Sequence, residues 1–170
     1  MSTPWTATST GSRVGDADHL TLVDGGSFLV ASRSGELTGN GVEGLFVFDT
    51  RVLSQWHLEI DGAPLDTLAS VPRGPFGVSM VGQPRTATTH DSPLLVLRSY
   101  EVGRGLHDDI TVRSYASTPV ELTISLDFDA DFASLFDVKG GVASEPEPAT
   151  HRLVDNGVAL VAPQPSGPRL

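Results

Sequence analysis

The triplet Asp49-Thr-Arg51 interrupts an apolar, strand-like run that extends from Gly44 to Trp56. An acid and a guanidinium two residues apart put directional acceptors and donors in one place, and two kinds of chemistry follow. The pair can hold a tight corner through charge-assisted hydrogen bonds to nearby backbone or to each other. Alternatively it can face a hydroxyl-rich ligand or a neighbouring domain, with Arg98 as a further polar contact. Asp49, Arg51 and Arg98 are therefore the candidate interface or glycan contacts.

Other constellations carry less. Asp127, Asp129 and Asp131 open like a calcium loop, but Phe132 and Val138 stand where that loop needs its sixth-position Gly and twelfth-position Glu. Asp127 and Asp129 then read as the wet face of a strand and Asp131 as a cap for the turn that follows. His19, His57, His90, His107 and His151 lack the close pairing of zinc ligands. Ser54 and Ser125 have no Gly-x-Ser-x-Gly turn around them, and no Gly-rich loop ends in a phosphate-binding Lys. The chain has 21 Asp and Glu, so composition alone leaves room for a glycosidase carboxylate pair. No spacing selects one, and no catalytic residue, cofactor or metal is assigned. Trp56, Tyr100, Tyr115 and Phe76 could build a sugar-stacking platform, although the alternation of Trp56 with polar neighbours points it toward a core.

The elements that would position these residues are strands. Gly 18 and Pro 12 in 170 residues favour turns over long helices. Extended segments are expected at His19 to Val23, Ser27 to Ala31, Leu45 to Phe48, Leu53 to Ile60 and Ala63 to Ser70. Further on they are expected at Leu94 to Val102, Leu106 to Tyr115, Val120 to Asp129, Thr150 to Val154 and Val158 to Ala162. Asp24-Gly-Gly26, Asp61-Gly62, Gly103-Arg-Gly105 and Asp155-Asn-Gly157 supply the turns. Gly35 to Gly44 reads as loop. Val71 to Pro93, with four prolines, reads as irregular except for a short strand at Phe76 to Val81. From Val120 to Asp129 apolar and polar residues alternate strictly, and Phe132, Leu135 and Phe136 then shift to helical spacing, which predicts one helical turn over Ala130 to Phe136. The expected fold is all-β, an antiparallel β-sandwich of supersandwich type with at most one or two short helical turns. Its domain runs over 19–162, between a flexible leader at 1–18 and a Pro/Gly-rich tail at 163–170.

A net charge of -10 disfavours nucleic acid and anionic membranes, whose partners use Lys and Arg. With Cys 0, stability has to come from apolar burial and backbone pairing. The first 18 residues hold no apolar run long enough for a signal-peptide core, so a cytoplasmic location is expected.

Several separated motifs, in order, carry a family resemblance. They are Leu22-Val-Asp-Gly-Gly-Ser-Phe-Leu29, Gly35-Glu-Leu-Thr-Gly39, Asp49-Thr-Arg51, Arg98-Ser-Tyr100, Gly105-Leu-His107, Asp127-Phe-Asp-Ala-Asp-Phe132 and Phe136-Asp-Val-Lys-Gly140. Together they resemble the N-terminal domain of bacterial glycogen debranching enzyme-like proteins, the amylo-α-1,6-glucosidase group. The chain departs from that pattern at Phe136-Asp-Val-Lys139, where Phe-Glu-Val-Arg is expected, and Lys139 cannot reproduce a bidentate Arg contact. His107-Asp108 also replaces a commoner Glu. The resemblance implies a non-catalytic β-sandwich that supports a helical-barrel glycosidase domain or separate polypeptide, with α-glucan as the wider substrate. A stand-alone α-glucan-binding module is the alternative. The family's sandwich ordinarily continues further, which leaves open that the domain is incomplete.

Overall fold

The computed structural model describes residues 19–85, 92–141 and 149–162. The expected leader, the tail and His90 lie outside the described residues. In chain order the strands are β1 (His19–Asp24), β2 (Ser27–Ser32), β3 (Leu37–Thr38), β4 (Gly44–Val47), β5 (Thr50–Leu53), β6 (Gln55–Ile60), β7 (Ala63–Pro72) and β8 (Gly77–Pro84). They continue with β9 (Leu94–Val102), β10 (Leu106–Ser114) and β11 (Ile124–Asp129), then helix α1 (Leu135–Gly140), β12 (Thr150–Val154) and β13 (Gly157–Val161). The fold is all-β, as the alternating sequence requires.

Every described pairing is antiparallel. One sheet has the order β1-β2-β4-β5, and a larger one runs β10-β9-β8-β7-β6-β11 with β3 also on β6. A hairpin of β12 and β13 stands apart from both. The segment expected as one strand from Leu53 to Ile60 divides at Ser54, where the chain leaves the smaller sheet for the larger. Ser54 N–H and Oγ–H both donate to the Asp129 carbonyl, at 2.8 and 3.3 Å, and fasten the crossing point.

Four local expectations need correction. Residues 71–84 are mostly strand rather than irregular, because Pro72 and Pro84 each sit at a strand end, where a missing N–H is tolerated. The Gly35 to Gly44 loop contains β3, drawn into the sheet by pairing Leu37 with Trp56. The strand expected from Val120 begins at Ile124, because its partner β6 ends at Ile60, opposite Ile124. Beyond that point Asp61 Oδ1 accepts the Thr123 N–H and its own N–H donates to the Thr123 carbonyl, both at 2.8 Å, so side-chain and turn bonds replace the ladder. The helix begins at Leu135 rather than Ala130, with Ser134 as its N-cap and Gly141 as a left-handed C-cap. Phe132 at φ +51° keeps the preceding residues out of it.

Strand β9 shows how the core is divided. Its inward residues are Leu94, Val96, Arg98, Tyr100 and Val102, all buried. Tyr100 and Val102 join Leu22, Leu29, Leu45, Leu53, Val78 and Met80 in an apolar cluster between the two sheets. Leu94 and Val96 join Leu58, Ile60 and Leu65 in a second cluster on the larger sheet, with Leu122 and Leu126 against it. Arg98 therefore stands at the junction of two cores on a single strand face.

Glycine is obligatory where the β2–β3 connection crosses this face. Gly35 has φ +81°, and a Cβ there would lie 2.7 Å from Met80 Cε and 3.2 Å from the Tyr100 ring. Gly35→Ala is expected to lower the unfolding free energy by about 2 kcal/mol or more, through both backbone strain and overpacking. Urea titration of the two chains checks this.

Candidate functional site

Arg51 lies on β5 just after the tight turn at Phe48–Asp49, and it is buried. Its guanidinium forks onto Asp131, 80 residues later. Nε donates to Oδ1 at 3.0 Å and Nη2 donates to Oδ2. Nη1 donates to the carbonyls of Gly41 and Glu43, at 3.1 and 3.0 Å. Asp131 Oδ1 also accepts the Ala133 N–H at 3.2 Å, so it does act on local backbone as its capping pattern implied, while the helix cap itself is Ser134. Gly44 gives the Arg51 stem its space, since a Cβ there would come 2.4 Å from Arg51 Cδ. A bidentate guanidinium–carboxylate pair with further carbonyl bonds is the arrangement in which burial of the charges is best compensated.

The backbone around this pair is zipped as well. Arg51 N–H donates to the Ala133 carbonyl at 2.9 Å and Leu135 N–H donates to the Asp49 carbonyl at 2.8 Å, flanking a bridge between Thr50 and Ser134. The Asp49 side chain is exposed.

The second guanidinium is more deeply placed. Arg98 is 2% exposed. It donates to Glu36 Oε1 at 2.5 Å, to Asp108 Oδ2 at 2.7 Å and to the Tyr100 hydroxyl at 2.6 Å, and the Tyr100 O–H donates in turn to the Gly35 carbonyl at 2.6 Å. Glu36 Oε2 accepts the Leu58 N–H at 3.1 Å and lies 2.8 Å from His57 Nδ1. Trp56 Nε1–H donates to Asp108 Oδ2 at 3.1 Å. Five elements and the Gly35–Glu36 connection therefore converge on one cation.

The charges set the protonation of this knot. Burial opposes the cation on Arg98, but Tyr100, Asp108 and Glu36 together outweigh it and push the guanidinium further above its ordinary value. Burial drives the Tyr100 phenol strongly upward, Asp108 and Glu36 add to this, and Arg98 opposes it. Tyr100 is held as a neutral donor.

The remaining sequence candidates are dispersed. Tyr100 is fully buried whereas Tyr115 is 70% exposed, and Trp56 tilts against Phe128 with ring centroids 6.1 Å apart, so the four aromatics do not share one platform. Asp129 Oδ1 accepts the Ala130 N–H at 2.8 Å and meets His151 Nε2 at 3.1 Å. A shallow cavity of about 300 Å³ lies beside this contact, lined by Leu126, Asp127, Phe128, His151, Leu153 and Val158. Among the described residues no cluster of His, Asp and Glu has the makings of a metal centre.

Sequence reasoning missed Glu36 and Asp108. Asp108 was legible in principle, because it shares strand parity with Leu106, Ile110 and Val112 and so had to point inward. Glu36 sits in the Gly35–Gly39 loop, where no period applies.

The stretches that carried the family resemblance are the ones that meet in space: Gly35-Glu36 with Arg98 and Tyr100, and Asp49 to Arg51 with Asp131 to Leu135. A family model described as the N-terminal domain of (some) glycogen debranching enzymes matches residues 22–163. The chain belongs to that family. No curated protein matches it. The match to this N-terminal domain family encloses both arginine networks, from Leu22 in the inter-sheet core to the β12–β13 hairpin.

Tyr100 gives the family member a calculable alkaline weakness. Because its phenol is raised on folding, its stabilising contribution is fully present below the ordinary value of 10.0 and is lost as pH climbs from there toward the folded value. Tyr100→Phe is expected to cost about 1–3 kcal/mol at neutral pH, from the unpaired Gly35 carbonyl and Arg98 donor, and to flatten the fall in stability above pH 10. Urea midpoints of both chains across this range measure the two effects.

Proposed function

We propose that this chain is a non-catalytic β-sandwich that supports a glycosidase domain of the amylo-α-1,6-glucosidase type, carried outside residues 1–170, in cytoplasmic carbohydrate metabolism. The partner is a helical-barrel domain or separate polypeptide, and α-glucan is the substrate of the assembly rather than of this chain. One observation carries the reading: the buried acids Glu36, Asp108 and Asp131 each face a guanidinium. A glycosidase keeps its general acid protonated in apolar surroundings, with a second carboxylate across the scissile bond. Here the acids instead neutralise the cations that join the sheets. Family membership as an N-terminal domain supports the same division of labour.

The assay is release of reducing sugar from glycogen and a branched limit dextrin by the purified chain, run beside calorimetric titration with maltohexaose. No turnover and no saturable heat at millimolar sugar are expected. Turnover would overturn the reading, and saturable binding without turnover would favour the α-glucan-binding module.

A further inference from the structure

One surface feature is unexplained by the internal networks. Phe48 and Phe136 are 77% and 75% exposed, the first in the β4–β5 turn and the second in the first turn of α1. They are 88 positions apart in sequence, yet the bridge between Thr50 and Ser134 and its flanking bonds set an antiparallel register in which residue 48 stands opposite 136. The Arg51–Asp131 fork lies directly behind and fixes both segments.

Phe48 also occupies a conformation that suits it poorly. Its φ is +53°, a region where Gly or Asn is at ease and a bulky side chain is an outlier. Gly26 yields space for the ring, since a Cβ there would approach Phe48 Cε1 to 3.0 Å, and the Phe48 N–H donates to the Gly26 carbonyl at 2.7 Å. A turn that needed only to turn would carry Asn or Gly. A strained, exposed aromatic held rigidly is the pattern of a recognition residue.

We infer that the face carrying Phe48 and Phe136 docks onto the glycosidase-bearing polypeptide of a debranching enzyme, seating both phenyl rings in apolar pockets rimmed by basic side chains. The inference rests on the supporting role proposed above and adds the surface and the chemistry of the partner. Charge complementarity selects the occupant: exposed Asp49 and Asp137 each follow a Phe, on a chain of net charge -10, so a rim of Lys or Arg is the matching surface. Lys139 is exposed on the same helix but two residues from Asp137, a spacing that turns it to another side. A phenyl ring lacks the polar edge of Tyr or Trp, which favours an apolar protein pocket over a sugar.

The probe is the remainder of a glycogen debranching enzyme carrying this type of N-terminal domain, expressed without that domain and titrated with the present chain by calorimetry. Wild type is expected to bind. Phe48→Asn and Phe136→Ser should each weaken binding about tenfold or more, and Asp49→Lys should slow association and blunt its salt dependence. Thermal midpoints separate docking from folding: Phe136→Ser should leave the midpoint unchanged, and Phe48→Asn should leave it equal or raised, because Asn relieves the backbone. Wild-type binding that survives both Phe substitutions overturns this face and leaves the supporting role intact. Absence of wild-type binding overturns both. If the Phe variants instead lose binding to glycogen, the face is a glucan site and the inference fails.

Discussion

The bidentate bond between Arg51 and Asp131 is the constraint from which the rest of this structure can be read. It joins residues 80 positions apart and lies where the chain crosses from the smaller sheet to the larger. A buried guanidinium left alone is among the least tolerable groups in a protein interior, so its presence dictates the surroundings. The Gly41 and Glu43 carbonyls must point at it, Gly44 must lack a Cβ, and Ala133 to Leu135 must run extended beside Asp49. The late start of α1 and the left-handed conformation at Phe132 are local consequences of meeting that demand.

Arg98 solves a related problem in the middle of the molecule. An unbroken apolar face on β9 would let the two clusters slide or merge in several ways, because dispersion and hydrophobic burial have little direction. A cation bonded to Glu36, Asp108 and Tyr100 admits one arrangement of the elements that carry them. The fold gains register from this knot, and the burial of Leu29, Leu58, Val96 and their neighbours supplies the stabilisation.

Much of this was legible in the residues. Strict alternation along Leu94 to Val102, and the Asp61-Gly62 and Asp155-Asn-Gly157 turns, led to the right strands because period and turn chemistry are local signals. Proline counting misled at Val71 to Pro84, since the ring's penalty depends on whether its position lies inside a ladder or at its end. The Asp49-Thr-Arg51 motif announced a directional bond but not its partner, because Asp131 is brought near only by the closure of the sheets. Of the residues proposed as contacts, Asp49 alone is exposed, whereas Arg51 and Arg98 face inward. Exposure depends on which strand face meets the core, and for Arg51 that is decided by a sheet crossing at Ser54 that no period records.

The most direct test of the account is a double-mutant cycle in urea with Arg51→Met, Asp131→Leu and the pair. Breaking a buried ion pair from one side strands the other charge, so each single change should remove about 3–5 kcal/mol, and the double change should remove clearly less than their sum. Strictly additive losses, or single variants as stable as the parent but altered in glycan binding, would contradict the structural role assigned to this joint.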